Sequence, residues 1–121
     1  MSYRTTREVF EDHLCLRQNG DLEQDLQRNY DDNVVLICEF SVLRGRDAIR
    51  ESAQRLGLQL PAAKFKFTAQ QVVDEYAFLE WEAKSDTYSV RDGVDTFVIR
   101  QGKIIMQSIR YTLIPDAQSV R

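Results

Sequence analysis

The sequence has little of what marks several large classes of protein. Among its 121 residues there are one histidine, two cysteines, two prolines and five glycines. Basic residues are in no excess, because 16 Lys and Arg stand against 19 Asp and Glu, a net charge of -3. A basic surface for nucleic acid is therefore not expected. No run approaches the roughly 18 apolar residues of a membrane span, and nothing resembles a Pro- or Gly-rich linker.

The scarce histidine and cysteine also argue against a metal site. His13 has no second histidine to join it, and Cys15 and Cys38 are far apart in the sequence. Zinc sites need several such ligands at close spacing. The N-terminal segment has charges where an export signal has an apolar core. We therefore expect reduced thiols, a cytoplasmic location and one small, acidic domain that covers residues 1–121.

The first half of the chain has the apolar spacing of helices. The first helix begins at Thr5-Thr6 and ends at Asn19-Gly20, and Asp21 caps a short second helix. A third helix opens at Gly45 and stops at Gly57. The side chains predicted to face inward are Val9, Phe10, His13, Leu14 and Arg17, then Leu22, Leu26 and Tyr30, then Ala48, Ile49, Ala53 and Leu56.

The rest of the chain is typical of β-strands. A run over 34–38 is rich in β-branched residues, and after Pro61 apolar and polar residues alternate with period two. The alternating segments are 65–69, 77–83, 94–100 and 103–114. Helices followed by antiparallel strands indicate an α+β protein and not a βαβ repeat. We expect a curved sheet wrapped around the helices.

Several fragments resemble a known family. They are Gly20-Asp21-Leu22, Tyr30–Val34, Gly45–Ile49, and Asp95–Ile99 followed by Gly102–Ile104. Their order and spacing, from Thr6 to Ile114, resemble the nuclear transport factor 2-like superfamily, which includes ketosteroid isomerases, SnoaL-type polyketide cyclases, limonene epoxide hydrolases and scytalone dehydratases. The resemblance implies an α+β cone-shaped barrel, with three N-terminal helices packed in a strongly curved, mixed but mostly antiparallel sheet. It also implies a deep pocket at the open end.

The ketosteroid isomerases offer the nearest pattern of site residues. By this resemblance Asp95 matches the protonated aspartate of their oxyanion hole. His13 stands where they have a tyrosine, and Cys38 where they have the general-base aspartate. A thiol is a poor substitute for a carboxylate base, so steroid isomerisation is not expected. Glu39 could replace it only if a bulge turned its side chain inward.

His13 and Asp95 are the predicted catalytic residues. Asp95 shares a strand face with apolar residues, where a carboxylate must be paired or protonated. His13, on the apolar face of the first helix, is its expected partner, and such a couple can transfer protons at neutral pH. A purely structural pair is the alternative. The predicted ligand-pocket residues are Tyr30, Cys38, Trp81, Phe97, Gln107, Ile109 and Tyr111, with core packing as the alternative for the aromatic ones.

Two functions fit this pattern. One is a pocket protein for a small apolar or carbonyl-bearing ligand, which carries out proton-transfer chemistry of the isomerase, dehydratase, cyclase or hydrolase class without metal or organic cofactor. The other is a non-catalytic ligand-binding or dimerisation module whose pocket is filled by side chains. A homodimer is expected through the outer sheet face near Phe78, with an ordinary polar surface as the alternative. The arginines around the third helix alternate with acidic residues, which predicts a solvated face.

Overall fold

Three helices form one layer of the structure, a computed structural model that describes residues 2–116. Helix α1 spans Thr6–Gln18, α2 spans Leu22–Asn29 and α3 spans Arg46–Gln59. Helix α3 continues past Gly57, where the sequence predicted its end, and stops just before Pro61, which cannot continue a helix. Within the described residues, no helix is long and apolar enough to cross a membrane.

Side-chain caps fix where the first two helices begin. Thr5 accepts a hydrogen bond from the backbone N–H of Glu8, whose carboxylate accepts one from the backbone N–H of Thr5. Asp21 accepts a hydrogen bond from the backbone N–H of Gln24. Both caps satisfy amide groups that the first turn of a helix leaves without partners. They confirm the predicted starts of α1 and α2.

Seven strands form one curved, mixed sheet. The strands are β1 (Tyr30–Cys38), β2 (Ser41–Arg44), β3 (Lys64–Val73), β4 (Tyr76–Lys84), β5 (Tyr88–Arg100), β6 (Lys103–Arg110) and β7 (Ile114–Pro115). Their order is β2-β1-β6-β5-β4-β3, with β7 paired to β5. Among the strands of residues 2–116, only β1 and β6 pair in parallel. Register shifts interrupt four of the strand pairings, which favours bending of the sheet. The predicted α+β architecture is confirmed.

Strand boundaries differ from the sequence prediction in several places. Strand β2 was not predicted because all four of its residues are exposed, which leaves no alternation to detect. Strand β1 begins at Tyr30, ahead of the apolar run, and its pairing with β6 is irregular before Val35. Strand β5 begins at Tyr88, ahead of residue 94, and β6 ends at Arg110 rather than at residue 114.

The core lies between the helices and the concave face of the sheet. Alternate residues of β4 and β5 are buried, as predicted, including Trp81, Asp95 and Phe97. The rings of Phe10 and Phe97 lie 5.4 Å apart between centroids and join α1 to the sheet. The buried polar side chains next to these rings are therefore held in a close-packed apolar surround.

Trp81 lies against the backbone of the neighbouring strand. Its partner in the β4–β5 ladder is Gly93, which is buried. A Cβ atom at residue 93 would stand 2.3 Å from Cδ2 and Cε2 of the indole. Only a residue without a side chain allows this close approach. The position of the indole therefore depends on Gly93.

Candidate active site

A cavity of about 400 Å³ opens between the helices and the sheet. Most of its wall is apolar and includes Leu22, Ile49, Leu56, Leu60, Phe67 and Ile109. The polar side chains of the lining are His13, Arg17, Gln18, Ser52, Asp95 and Gln107, together with the indole N–H of Trp81. An apolar space with a few convergent polar groups is typical of small-molecule sites.

Helix α1 places His13 and Arg17 one turn apart on its inner face. The Nδ1 of His13 lies 2.8 Å from Oδ2 of Asp25 and donates to that carboxylate. The imidazole also packs against the rings of Tyr30 and Phe97, at centroid distances of 5.8 and 5.1 Å. Within residues 2–116, Nε2 of His13 makes no hydrogen bond. Every fully buried side-chain nitrogen or oxygen of these residues has a hydrogen-bond partner, so Nε2 is not fully buried. Nε2 is therefore open to the cavity that His13 lines.

Asp25 of α2 is fully buried and accepts hydrogen bonds from both His13 and Arg17. Its Oδ2 also accepts from Nε of Arg17 at 2.7 Å, and its Oδ1 accepts from Nδ2 of Asn29 at 2.8 Å. Burial alone would raise the pKa of Asp25, but the hydrogen bond and charge of His13 and the charge of Arg17 outweigh it and lower that pKa. Asp25 is thus an ionised carboxylate at neutral pH.

Asp95 of β5 forms a second buried polar group, separate from the first. Its Oδ1 accepts from Nε1 of Trp81 and its Oδ2 from Nε2 of Gln107, both at 3.0 Å. The hydroxyl of Tyr30 donates to Oε1 of the same Gln107 at 2.5 Å. Burial raises the pKa of Asp95, and the hydrogen bonds from Trp81 and Gln107 and the charge of His13 only partly offset it. The low-dielectric site favours the neutral carboxylic acid.

The family model that matches this sequence is that of the SnoaL-like domain, over residues 10–106. The chain belongs to the SnoaL-like family. This membership confirms the resemblance to nuclear transport factor 2-like proteins that the sequence fragments indicated. No curated protein matches the sequence significantly.

Solved structures show how widely this SnoaL-like fold occurs. A proposed ketosteroid isomerase from Kribbella flavida superposes with a TM-score of 0.74 at 12% identity, over 91% of this chain and 81% of the other. A proposed SnoaL-like polyketide cyclase from Mesorhizobium loti gives 0.63 at 16%, over 89% and 100%. An NTF-2-like protein from Burkholderia xenovorans gives 0.71 at 17%, over 92% and 84%. At such identities the likeness establishes the fold alone.

The SnoaL-like domain brings five of the predicted site residues to the cavity. They are His13, Trp81, Asp95, Gln107 and Ile109. The expected contact between His13 and Asp95 is wrong, because Asp25 takes the Nδ1 proton and Asp95 is held by Trp81 and Gln107. Asp25 was not predicted as a site residue. The sequence does contain a pattern that places Asp25 inside the protein. The inner face of α2 carries, at helical spacing, Leu22, Asp25, Leu26 and Asn29.

The other four predicted pocket residues lie outside the cavity lining. Tyr30 is fully buried behind Gln107, and Phe97 is fully buried against Phe10. The hydroxyl of Tyr111 donates to Oε1 of Gln59, and its ring packs 5.6 Å from Trp81. Each of these three aromatic residues contacts a side chain that lines the cavity: Tyr30 contacts Gln107, Phe97 contacts His13 and Tyr111 contacts Trp81.

Cys38 and Glu39 lie at the end of β1, away from the cavity lining. Cys38 is half-buried and pairs with Ser41 at the β1–β2 turn, and the side chain of Glu39 is exposed. The inward bulge that Glu39 would need to replace the missing base is therefore absent. Both cysteines of the chain are free thiols. Among the residues that the structure describes, no group of three or more His, Cys, Asp or Glu side chains could hold a metal ion.

Proposed function

We propose that this SnoaL-like domain binds a small, largely apolar carbonyl compound and catalyses a proton transfer on it without metal or organic cofactor. Such reactions belong to the isomerase, dehydratase, cyclase or hydrolase class. One observation carries the proposal: His13, whose Nε2 makes no hydrogen bond to the described residues, and the buried Asp95 line the same cavity. Two titratable groups in one apolar site, with different environments, are typical of acid–base catalysis.

In this proposal His13 is the general base. Because Asp25 accepts the Nδ1 proton, the lone pair of the imidazole is on Nε2, which is open to the cavity. Nε2 takes a proton from the carbon next to the ligand carbonyl, and the carboxylate of Asp25 stabilises the imidazolium that forms. The same nitrogen then returns that proton to another carbon, so the enzyme ends the cycle unchanged.

Asp95 is the proposed hydrogen-bond donor to the ligand carbonyl. A neutral carboxylic acid has one O–H to offer, and the burial that raises the pKa of Asp95 favours this neutral form. Negative charge develops on the carbonyl oxygen as the proton leaves carbon, so a donor fixed in a dry site lowers the barrier. Trp81 and Gln107 hold the carboxyl group while it acts.

Hydrogen–deuterium exchange tests this proposal without knowledge of the natural ligand. We expect the protein in D2O to accelerate exchange next to the carbonyl of 4-phenylbutan-2-one, followed by NMR. His13→Gln should lower the rate by roughly 100-fold or more, the usual contribution of a general base. Asp95→Asn should slow it as well. Asp74→Asn is the matched control, because Asp74 lies in the exposed β3–β4 turn at a positive φ that asparagine accepts. Full exchange in His13→Gln would contradict the proposal.

A non-catalytic ligand-binding or dimerisation module is the second candidate. The observation that favours it is the saturation of the Asp95 group, whose two oxygens and the Gln107 amide already have protein partners. The same experiment separates the two functions. Binding of the ketone by the wild type with exchange no faster than in buffer would support the binding module, because a base that touches the ligand must move its proton.

We also propose a homodimer formed through the outer face of the sheet. A groove of about 320 Å³ lies there, lined by Val73, Tyr76, Phe78 and Val98 among others. Val73 and Tyr76 are largely exposed, which is unfavourable for a face left in water. Light scattering at micromolar concentration should give twice the chain mass, and Phe78→Lys should halve it. A monomeric mass for the wild type would contradict this proposal.

A further inference from the structure

Arg17 presents a positive charge to the cavity. Its side chain lines the cavity one helical turn after His13, with 26% of its surface exposed. The Nε of its guanidinium group donates to Asp25. Among residues 2–116, no carboxylate accepts a hydrogen bond from Nη1 or Nη2. The edge of the guanidinium formed by these two nitrogens is thus not committed to a protein anion.

The anion that compensates Arg17 does not reach the cavity. Asp25 is fully buried behind Arg17 and His13 and is absent from the lining. Asp95 does line the cavity, but its burial favours the neutral acid. Burial raises the pKa of Tyr30, and the charge of Arg17 and a hydrogen bond with its guanidinium offset this only in part. The hydroxyl of Tyr30 is therefore neutral and donates to Gln107. A ligand in the cavity therefore meets a cation without meeting its counter-ion.

We propose that the ligand is an apolar oxo acid, whose carboxylate binds the Nη edge of Arg17 while its carbonyl group lies between His13 and Asp95. This inference rests on the proposed function. A guanidinium group offers two parallel donors that match the two oxygens of a carboxylate. Because residues one helical turn apart have Cβ atoms about 5–6 Å from each other, the carboxylate and the reacting carbon are close along the ligand. A 2-oxo or 3-oxo carboxylic acid satisfies this spacing.

Two probes of equal apolar body test the inference by calorimetry. They are 4-phenyl-2-oxobutanoate and 4-phenylbutan-2-one, which differ only in a carboxylate in place of a methyl group. The wild type should bind the acid at least about tenfold more tightly, the usual effect of a charge-assisted hydrogen bond. Arg17→Gln should abolish this preference, so that the acid and the ketone bind with similar affinity. Arg7→Gln is the control, since Arg7 lies on the same helix with its side chain 63% exposed.

Each outcome has a distinct meaning. Equal affinity of the wild type for the two probes overturns the oxo-acid inference and leaves the proposed function standing. A preference that survives in Arg17→Gln also overturns it, because another group then binds the carboxylate. Failure of both probes to bind overturns the inference together with the proposed function. If Arg17→Gln does not fold, Arg17→Lys replaces it; the lysine keeps the charge but loses the paired donors, and should retain only part of the preference.

Discussion

His13 and Asp25 form a buried couple in which 2.8 Å separates the imidazole Nδ1 from the carboxylate oxygen. The couple joins α1 to α2 and fixes which imidazole nitrogen faces the cavity. The second buried carboxyl, Asp95, has its pKa shifted in the opposite direction. The charge of Arg17 and the hydrogen bonds from His13 and Asn29 outweigh the burial of Asp25, whereas the burial of Asp95 outweighs the hydrogen bonds from Trp81 and Gln107. Opposite shifts of this kind assign an anionic and an acidic role to two residues of the same type.

Asp25→Asn should destabilise the protein strongly. The substitution leaves Arg17 without its buried counter-ion, and removal of one partner of a buried ion pair costs about 3–5 kcal/mol. Urea unfolding measures the free energy. Asp47→Asn is the matched control, because Asp47 pairs with Arg50 at an exposed position and should change stability far less. Comparable losses in the two variants would show that the Asp25 group is not a buried ion pair.

The raised pKa of Asp95 makes stability depend on pH. Below the unfolded pKa of 3.8 both states hold the proton and no effect exists. As pH rises above that value, the unfolded chain releases the proton first, so the wild type loses stability until the pH passes the raised folded pKa. Asp95→Asn lacks this titration. The free energy of unfolding of Asp95→Asn relative to the wild type should therefore increase from pH 4 upwards and then level off; a difference independent of pH would contradict the shift.

Trp81, the single tryptophan, should report the protonation of Asp95 directly. Its Nε1 donates to Asp95, so ionisation of that carboxyl places a negative charge 3.0 Å from the indole nitrogen. We expect a change in tryptophan fluorescence whose midpoint lies above pH 3.8. The change should vanish in Asp95→Asn. Persistence of the same transition in that variant would assign it to another group.

Gly93→Ala should destabilise the protein and disturb the cavity. Its Cβ would overlap the Trp81 indole, and overpacking of a core typically costs about 1–3 kcal/mol. Gly57→Ala makes the same change in α3, where a Cβ would meet nothing within 4 Å. That control should gain roughly 0.5–1 kcal/mol from the removal of glycine from a helix. Thermal or urea unfolding of the two variants gives the comparison, and equal effects would refute the close approach.

Local chemistry explains which elements could be predicted from the sequence. Thr5 and Asp21 cap helices through their own side chains, and β4 alternates buried and exposed residues along its length. These signals need no knowledge of distant residues. Strand β2 has no buried face, and the glycine at position 93 of β5 is explained only by the indole of Trp81 across the sheet. The features that depend on contacts with residues distant in the sequence were therefore not predicted.

The candidate site divides in the same way. Asp95 was predictable because a carboxylate stood on an otherwise apolar strand face, and His13 because it stood on the apolar face of α1. Their pairing was not, because alternation gives the face of a side chain but neither its reach nor its neighbours. Asp25 lies among several acidic residues early in α2, where negative charge is expected at a helix N-terminus. Only its tertiary packing distinguishes Asp25 from the other acidic residues of this turn.

The hydrogen bonds that Asp95 accepts from Trp81 and Gln107 cross from β5 to both neighbouring strands. A slip of β5 by one residue would turn Asp95 to the outer face of the sheet. The side-chain N–H donors of Trp81 and Gln107 would then lie in the core without acceptors. Apolar residues at these positions would penalise such a slip far less. The hydrogen bonds of Asp95 with Trp81 and Gln107 thus also favour the native strand register during folding. Apolar replacements of these residues should therefore allow strand mispairing as well as alter the chemistry of the cavity.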